Sequence, residues 1–219
     1  MRRTKQHAHK TRSAILEAAA NLFLQQGVAH TSLEQIARQA GVTRGAVYWH
    51  FKNKADLFHA MLSQVRLPSE QIVQRVKQCD PENPIFGLRN LCTEAMATLV
   101  REPRKRQIFT ILLRRCEFTE ELREAEEQHE VFINEFIDLC TALFAEPHVI
   151  RRLRSGISPR MAAVALHSLF VGLLSDWLRD PELLDASNIQ PYLDILLTGI
   201  FNSWDSSPAR PCLASTDQA

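Results

Sequence analysis

The chain has 219 residues, and 45% of them are hydrophobic, a share typical of a folded globular protein and not of a disordered one. With seven glycines in all, a glycine-rich phosphate-binding loop is not expected. The five cysteines are far apart in sequence and form no C-x-x-C pair, which argues against a disulfide scaffold or a zinc knuckle and favours reduced thiols.

The net charge of +1 conceals an uneven distribution of charged residues. Residues 1–64 contain nine Lys or Arg and three Asp or Glu, so the remainder of the chain is net acidic. A basic segment joined to an acidic body indicates a polyanionic partner at one end of the chain, and a solvated basic tail is the alternative. Charge alone does not decide between a polyanionic partner and a solvated tail.

We expect neither a signal peptide nor a membrane span. Glu17 and Asn21 interrupt the first apolar stretch after the basic N-terminus. Met161–Leu174, the most apolar stretch, is shorter than a membrane span and contains His167 and Ser168. These features predict a cytoplasmic protein without a membrane partner.

Two helices are predicted before residue 42. Apolar residues at helical spacing indicate a first helix over about residues 10–26, which Gly27 is well placed to end. Thr31 and Glu34 have the spacing of a capping box, so a second helix is expected to begin there and to end at Gly41.

Two more helices are predicted directly afterwards. Thr43 can cap a third helix that directs Val47 and Phe51 inward, and Asn53 can cap a fourth. Two short helices joined by a tight turn at Gly41-Val42 fit a helix-turn-helix, although a generic small helical bundle would show the same periodicity.

The composition of the third helix favours DNA binding. Arg44 and Tyr48 lie off the apolar face, and a helix this short gains no stability from exposing Tyr48, Trp49 and His50. An exposed Arg can donate two hydrogen bonds to a guanine edge, and Tyr, His and Lys can bond phosphates. The alternative is that Tyr48 and Trp49 pack under the fourth helix.

The segment from Thr11 to Leu57 resembles the DNA-binding domain of the TetR family. The motifs that carry this resemblance are Thr31-Ser32-Leu33, Ile36-Ala37, Ala40-Gly41-Val42, Tyr48-Trp49-His50-Phe51 and Lys52-Asn53-Lys54. Three later motifs are similar to the C-terminal body of AcrR-type multidrug-efflux repressors. They are Arg114–Thr119, Gly172–Leu178 and Tyr192–Leu197.

The resemblance implies roles for particular side chains. Thr31 and Ser32 would hold a phosphate at the start of the second helix. Thr43, Arg44 and Gly45 would face base edges in the major groove, and an N-terminal arm over residues 2–5 would add non-specific affinity. The residues implied to contact DNA are Thr31, Ser32, Thr43, Arg44, Gly45, Tyr48, Trp49, His50 and Lys54.

Prolines and capping residues predict five further helices, about nine in all. The fifth ends near Arg101, the sixth starts at Pro103, and Thr119 is expected to cap the seventh. Ser158-Pro159 is a strong helix start for the eighth, and a ninth covers about residues 189–204.

The eighth predicted helix is apolar nearly all round. A surface helix would show one apolar stripe, so this helix is expected to bury two faces. One face can pack on its own body, and the other can form a four-helix dimer interface with the ninth helix and a second copy of the chain. The alternative is a helix at the centre of a monomer.

The body is also expected to bind a small molecule. Polar residues on its apolar faces are more often satisfied core groups than ligand contacts, and no nucleophile, metal or cofactor motif is present, so neither an enzyme nor a cofactor is predicted. In the AcrR-type arrangement the apolar faces of several helices converge on a cavity. The residues predicted to line it are Met96, Phe109, Glu117, Phe136, Cys140, His167 and Phe170.

The sequence therefore predicts an all-α protein in which a helix-turn-helix DNA-binding domain precedes a helical ligand-binding and dimerisation bundle. The expected domains are 1–55 and 56–204, with a disordered tail over 205–219. The expected function is that of a homodimeric repressor of a multidrug efflux operon, which binds a near-palindromic double-stranded DNA operator and is released by a hydrophobic small-molecule inducer. A regulator of a metabolic pathway and an architectural DNA binder without a ligand are the alternatives.

Overall fold

The computed structural model of the chain describes residues 2–79 and 83–205. These residues form eleven α-helices, a 3-10 turn at Glu120–Leu122 and no β-strand beyond a single bridge, which confirms the predicted all-helical fold. The helices are α1 Arg2–Gln26, α2 Leu33–Gln39, α3 Arg44–His50, α4 Lys54–Leu62, α5 Ser69–Cys79, α6 Pro84–Arg101, α7 Pro103–Arg114, α8 Arg123–Phe144, α9 Pro147–Ile150, α10 Pro159–Arg179 and α11 Gln190–Ile200.

The described residues contain two helices more than predicted. α5 packs along α6, and the close approach occurs at Gly87, where an added Cβ would lie 2.4 Å from the carbonyl oxygen of Val76. α5 buries Ile72 and Val76, and these two apolar positions are too few to establish a period in the sequence. α9 is a single turn that begins with proline, and it precedes the helix predicted to start at Ser158-Pro159.

Side-chain caps begin several of these helices as predicted. The Asn53 side chain accepts a hydrogen bond from the backbone N–H of Asp56 at 2.7 Å, and that of Ser158 accepts one from Met161 at 3.2 Å. Thr119 precedes the 3-10 turn but makes no such bond, so the predicted cap of the long helix after it is wrong. The 3-10 turn instead leads directly into α8.

The chain divides into two compact units. The first contains Met1–Arg66 and Pro103–Phe132, and the second contains Leu67–Glu102 and Ile133–Ala219. The predicted disordered tail lies outside the described residues, apart from Asp205.

One hydrophobic core joins the first four helices to α7 within the first unit. It contains Phe23 of α1, Val47 of α3 and Phe58 of α4 together with Ile108 and Ile111 of α7. Hydrogen bonds reinforce this packing.

Two of these bonds reach backbone carbonyls. The N–H of Val28 donates to Arg115 at 3.0 Å, and the Arg104 guanidinium donates to Leu16 at 3.2 Å. α7 therefore supports the helix-turn-helix, although the sequence suggested a domain boundary well before it.

The second unit contains a buried charged pair between α6 and α11. The side chain of Arg89 is buried, and its Nη1 donates to Asp194 Oδ1 at 2.8 Å. The same oxygen accepts a hydrogen bond from Trp204 Nε1 at 2.8 Å. The Arg89 guanidinium also lies 3.9 Å from the ring centroid of Phe86. These contacts neutralise a charge that would be costly to bury alone.

The second unit's own residues cover one face of α10. Ala162, Leu166 and Trp177 are buried, whereas Met161 and Val164 are exposed. At 21 residues, the helix is also long and apolar enough to cross a membrane by length and composition, contrary to the shorter stretch expected from the sequence. Length and composition alone are weak evidence for a membrane span.

Candidate nucleic-acid interface and ligand-binding residues

The turn between α2 and α3 has the geometry predicted from its glycine. Gly41 has a φ of +67°, a conformation that side chains with a Cβ rarely adopt. The Val42 N–H donates to the carbonyl of Ala37 at 3.0 Å and closes the turn. Thr43 then caps α3 as predicted, accepting a hydrogen bond from the Ala46 N–H at 3.1 Å.

The outer face of α3 carries long side chains that the described chain leaves uncovered. Val47 and Phe51 are buried and fix the inner face, while Thr43, Arg44 and Gly45 are exposed. Tyr48 is 47% exposed and Trp49 is 73% exposed. The alternative that these two aromatic side chains pack under the fourth helix is therefore wrong.

Arg44 and Tyr48 interact across one turn of α3. The guanidinium carbon lies 5.4 Å from the ring centroid of Tyr48, and Nη2 donates to the phenolic oxygen at 3.4 Å. This hydrogen bond raises the pKa of Arg44, so the group remains a full positive charge at the surface. A guanidinium in this position can donate to a base edge or to a phosphate.

His50 is partly covered at the end of the same helix. Its ring lies 4.6 Å from that of Trp49, nearly perpendicular to it. Burial, assisted by the positive charge of Arg12, lowers the pKa of His50 below its ordinary value. A neutral imidazole at pH 7 can still donate one hydrogen bond to a phosphate.

Two exposed basic residues beside α3 were not predicted as site residues. The Arg12 guanidinium lies 5.1 Å from the ring centroid of Phe51, and Lys52 follows that residue directly. The basic excess of residues 1–64 was the signal that could have identified them. Both fit an electrostatic surface for a polyanion.

The start of α2 differs from the prediction by one residue. Ser32, and not Thr31, is the N-cap, and it forms a capping box with Gln35 through bonds of 3.2 and 2.8 Å. Thr31 is buried, and its hydroxyl donates to the carbonyl of Gly27 at 2.7 Å. Ser32 is exposed and can meet a phosphate, whereas the placement of Thr31 does not fit the predicted contact.

Lys54 also lies away from the predicted interface. Its side chain is only 3% exposed, and Nζ lies 2.7 Å from Glu121 Oε2. It also donates to the backbone carbonyls of Thr31 at 3.0 Å and Ala29 at 3.3 Å. The predicted phosphate contact does not fit this environment, because the three N–H donors of the ammonium already have acceptors within the protein.

Five of the predicted ligand-binding residues belong to the second unit. Met96 of α6 and Cys140 of α8 are fully buried, while Phe170 of α10 is partly exposed. The rings of Phe136 and His167 lie 6.1 Å apart, which brings α8 and α10 together at this point. Burial lowers the pKa of His167, so the ring is neutral at pH 7.

The other two predicted ligand-binding residues belong to the first unit. Phe109 of α7 is partly buried and packs against that unit's hydrophobic core. Glu117, between α7 and the 3-10 turn, is exposed. The convergence of all seven residues on one cavity stays a prediction.

Most of the described cysteines fit the expected reduced state. Cys92, Cys116 and Cys140 are free, and burial raises the pKa of the Cys92 and Cys116 thiols to about 12. Such thiols are poor nucleophiles at neutral pH. Cys79 is disulfide-bonded, contrary to the expectation.

α10 and α11 expose apolar side chains that a monomeric protein gains nothing by exposing. Met161 and Val164 lie on α10, and Tyr192 and Ile195 lie on α11. Ile195 is 74% exposed. Where such side chains form one contiguous patch, they are typical of an interaction site.

Known proteins match both parts of the chain. The family described as bacterial regulatory proteins, tetR family, matches residues 15–61. A second family, described as the C-terminal region of MAATS-type transcriptional repressors, matches residues 83–205.

Individual relatives cover nearly the whole chain. The transcriptional regulator TtgR of Pseudomonas putida is 34% identical over 195 residues, which cover 89% of this chain and 93% of TtgR. The crystal structure of NalD, the secondary repressor of the MexAB-OprM multidrug efflux pump in Pseudomonas aeruginosa, has a TM-score of 0.86 and 52% identity, covering 91% of this chain and 100% of NalD. The complex of SmeT, from Stenotrophomonas maltophilia, with triclosan has a TM-score of 0.76 and 30% identity, covering 91% of this chain and 97% of SmeT.

The chain belongs to the TetR family of bacterial transcriptional regulators. It is a helix-turn-helix repressor and not an enzyme, and its relatives include regulators of multidrug efflux. The predicted family, class and AcrR-type resemblance are thereby confirmed.

Proposed function

We propose that this protein represses a multidrug efflux operon by binding a near-palindromic operator as a homodimer, and that hydrophobic compounds release it. The observation that carries the proposal is the exposed face of α3, with Arg44, Tyr48 and Trp49 uncovered on a helix that Thr43 caps. The kinship with NalD, a repressor of an efflux pump, supports the choice of target. Such a protein acts in the cytoplasm and needs neither a cofactor nor a membrane partner.

α3 is proposed to enter the major groove. Arg44 then donates two hydrogen bonds to a guanine edge, and Gly45, without a side chain, allows the helix to approach the bases closely. Tyr48, Trp49 and His50 bond or pack against the sugar-phosphate backbone. Ser32 places the N-terminus of α2 against a phosphate, where the helix dipole and free N–H groups favour an anion.

A second copy of the chain would cover the exposed apolar residues of α10 and α11. Two-fold pairing through these helices gives two recognition helices related by symmetry. The operator is then a near-palindrome whose half-sites lie about one helical turn or more apart. The apolar face that includes Ile195 supports this assignment over a monomer.

A ligand would act by favouring one shape of the protein. Phe136, His167 and Phe170 in the second unit offer aromatic surface to a hydrophobic compound, and the neutral His167 offers one polar partner. Met96 and Cys140 lie deeper in the same unit. Release follows only if the compound has a higher affinity for the shape that cannot bind DNA than for the shape that can.

The test uses fluorescently labelled DNA from upstream of the chain's own gene and from upstream of neighbouring pump operons. Wild-type protein should bind one fragment at nanomolar to micromolar concentration, and triclosan, the compound bound by SmeT, should weaken binding. Arg44→Ala should weaken specific binding, and the matched control Arg123→Ala, on an exposed arginine paired with Glu120, should not.

Each failure has a distinct meaning in this assay. If no fragment is bound in preference to random DNA, the repressor proposal is wrong. If a fragment is bound and neither triclosan nor other hydrophobic compounds weaken binding, the efflux-sensor proposal is wrong. A defined metabolite that does release the protein would point to a metabolic regulator, and the absence of any releasing compound to an architectural role.

A further inference from the structure

Lys54 is a buried lysine at the end of the helix-turn-helix. It is the first residue of α4, and its ammonium has three acceptors: Glu121 Oε2 at 2.7 Å and the carbonyls of Thr31 and Ala29 at 3.0 and 3.3 Å. An ammonium has three N–H donors, so this set satisfies it completely. Burying the charge without these partners would be costly.

The acceptors come from parts of the first unit that flank the DNA-facing helices. Thr31 directly precedes Ser32, the N-cap of α2, and Ala29 lies two residues before Thr31. Glu121 lies in the 3-10 turn that leads into α8. Next to Lys54, the Asn53 side chain donates to Glu124 Oε2 at 3.4 Å. The chain that enters α2 and the chain that leaves α3 are thus tied to the same acidic turn.

We propose that Lys54 is a positioning residue for α2 and α3 and that Glu121 is a determinant of operator specificity which acts through it. Neither side chain contacts DNA. The inference rests on the operator binding proposed above and goes beyond it, because it assigns the affinity for one DNA sequence to a carboxylate outside the helix-turn-helix.

Operator binding depends on the fraction of molecules in which α2 and α3 are correctly placed. Glu121 is 59% exposed, so its removal does not open the core. Without it, Lys54 keeps two carbonyl acceptors but loses its bond to the 3-10 turn, so the α1–α2 connection and α4 are held there only by packing and by the Asn53–Glu124 hydrogen bond. A smaller fraction of molecules is then competent to read the operator, and the apparent dissociation constant rises in proportion.

Simple electrostatics predicts the opposite change in DNA affinity when Glu121 is neutralised. Removing an acid from the unit that binds DNA should strengthen binding to a polyanion. Glu120, next in sequence, provides the matched control, because it is 80% exposed and pairs with the exposed Arg123 instead of Lys54. Glu120→Gln and Glu121→Gln remove the same charge at neighbouring positions, and only the second breaks the ion pair with Lys54, leaving at most a hydrogen bond to a neutral amide oxygen.

The experiment measures binding of full-length variants to the upstream DNA fragment that wild type prefers and to random-sequence DNA. Glu121→Gln should weaken binding to the fragment about threefold and leave binding to random DNA unchanged, with Glu121→Asp recovering part of the loss. Glu120→Gln should bind both at least as tightly as wild type. Thermal unfolding of each variant checks that the fold is retained.

Salt dependence separates positioning from a direct phosphate contact. Lys54→Met should weaken fragment binding without changing the slope of log affinity against log salt, whereas a lost phosphate contact would reduce that slope by about 0.9. The proposal is overturned if Glu121→Gln binds the fragment as tightly as wild type, if it weakens random DNA equally, or if Lys54→Met reduces the slope. Wild type that prefers no fragment would instead refute the proposed function.

Discussion

The guanidinium of Arg44 lies over the ring of Tyr48, with 5.4 Å between the guanidinium carbon and the ring centroid. Both side chains are exposed, and they lie one turn apart on α3. The stacked ring and the hydrogen bond to the phenol restrict the rotamers of a long flexible side chain before any DNA is bound. Less entropy is then lost when Arg44 meets a base edge.

Arg44→Ala should reduce operator affinity by about 1–3 kcal/mol and relax the base preference at one position of each half-site. The reason is that a guanidinium bonded to a guanine edge discriminates against the other bases. Titration of wild-type and variant protein against single-base operator variants measures both effects. Equal affinity and selectivity in the two proteins would mean that α3 is not the recognition helix.

Ile195→Glu should convert the proposed homodimer into a monomer at micromolar concentration. Ile195 is the most exposed of the apolar side chains on α11, and a buried unpaired carboxylate would be costly in a dimer interface. Val131→Glu, at an exposed apolar position on α8, is the control and should remain dimeric. Sedimentation measures the masses, and a dimeric Ile195→Glu protein would exclude α11 from the interface.

Local sequence predicted caps well and long-range contacts poorly. Thr43 and Asn53 cap α3 and α4 as expected, because a cap depends on residues only three positions apart. At α2 the prediction was wrong by one residue, and Ser32 with Gln35 forms the box in place of Thr31 with Glu34. Hydrophobic periodicity cannot distinguish two possible helix starts that lie one residue apart.

The role of Lys54 could not be predicted for a different reason. Its acceptors on Ala29, Thr31 and Glu121 are 23 to 67 positions away in sequence, and two of them are backbone carbonyls, which no residue pattern reveals. The resemblance placed Lys54 at the DNA backbone, whereas the fold buries it.

Asp194→Ala should lower the free energy of unfolding by about 3 kcal/mol, because it removes an ion-pair partner of the buried Arg89 guanidinium and the acceptor of Trp204 Nε1. Asp138→Ala is the control, since it breaks an exposed pair with Arg160 of the same 2.8 Å length and should cost less than about 1 kcal/mol. Urea unfolding measures both. Similar losses in the two variants would contradict the structural role assigned to Arg89.

Acid should destabilise the protein through its partly buried histidines. Burial lowers the pKa of His50, His59 and His167, so the unfolded chain binds protons that the folded protein does not. The stability that depends on these histidines being neutral is fully present above their unfolded pKa of about 6.5. It declines as the pH falls through that value. Between about pH 7 and pH 5, Tm should fall less for His167→Gln than for wild type, whereas the exposed control His9→Gln should follow wild type. An unchanged pH dependence in His167→Gln would contradict this assignment.

Filling the proposed ligand site should separate drug response from DNA binding. Phe136 is partly exposed beside His167, so Phe136→Trp adds volume where a compound would bind and should blunt triclosan-induced release while drug-free binding to the upstream fragment stays nearly intact. Cys140 is fully buried, and Cys140→Trp should act in the same way only if a cavity adjoins it. In a filled core the added ring would instead cost about 1–3 kcal/mol of stability.

Three measurements on these variants decide between pocket and core: affinity for the upstream fragment, the triclosan concentration that halves binding, and Tm. A raised half-release concentration with unchanged affinity and Tm identifies a ligand pocket. A fall in Tm together with lost DNA binding identifies packed core at that position. Ile108→Trp, in the hydrophobic core of the first unit, provides the comparison for a ring added to packed core. If Phe136→Trp is released by triclosan as readily as wild type, the compound binds elsewhere and the assignment of Phe136 and His167 to the ligand site is wrong.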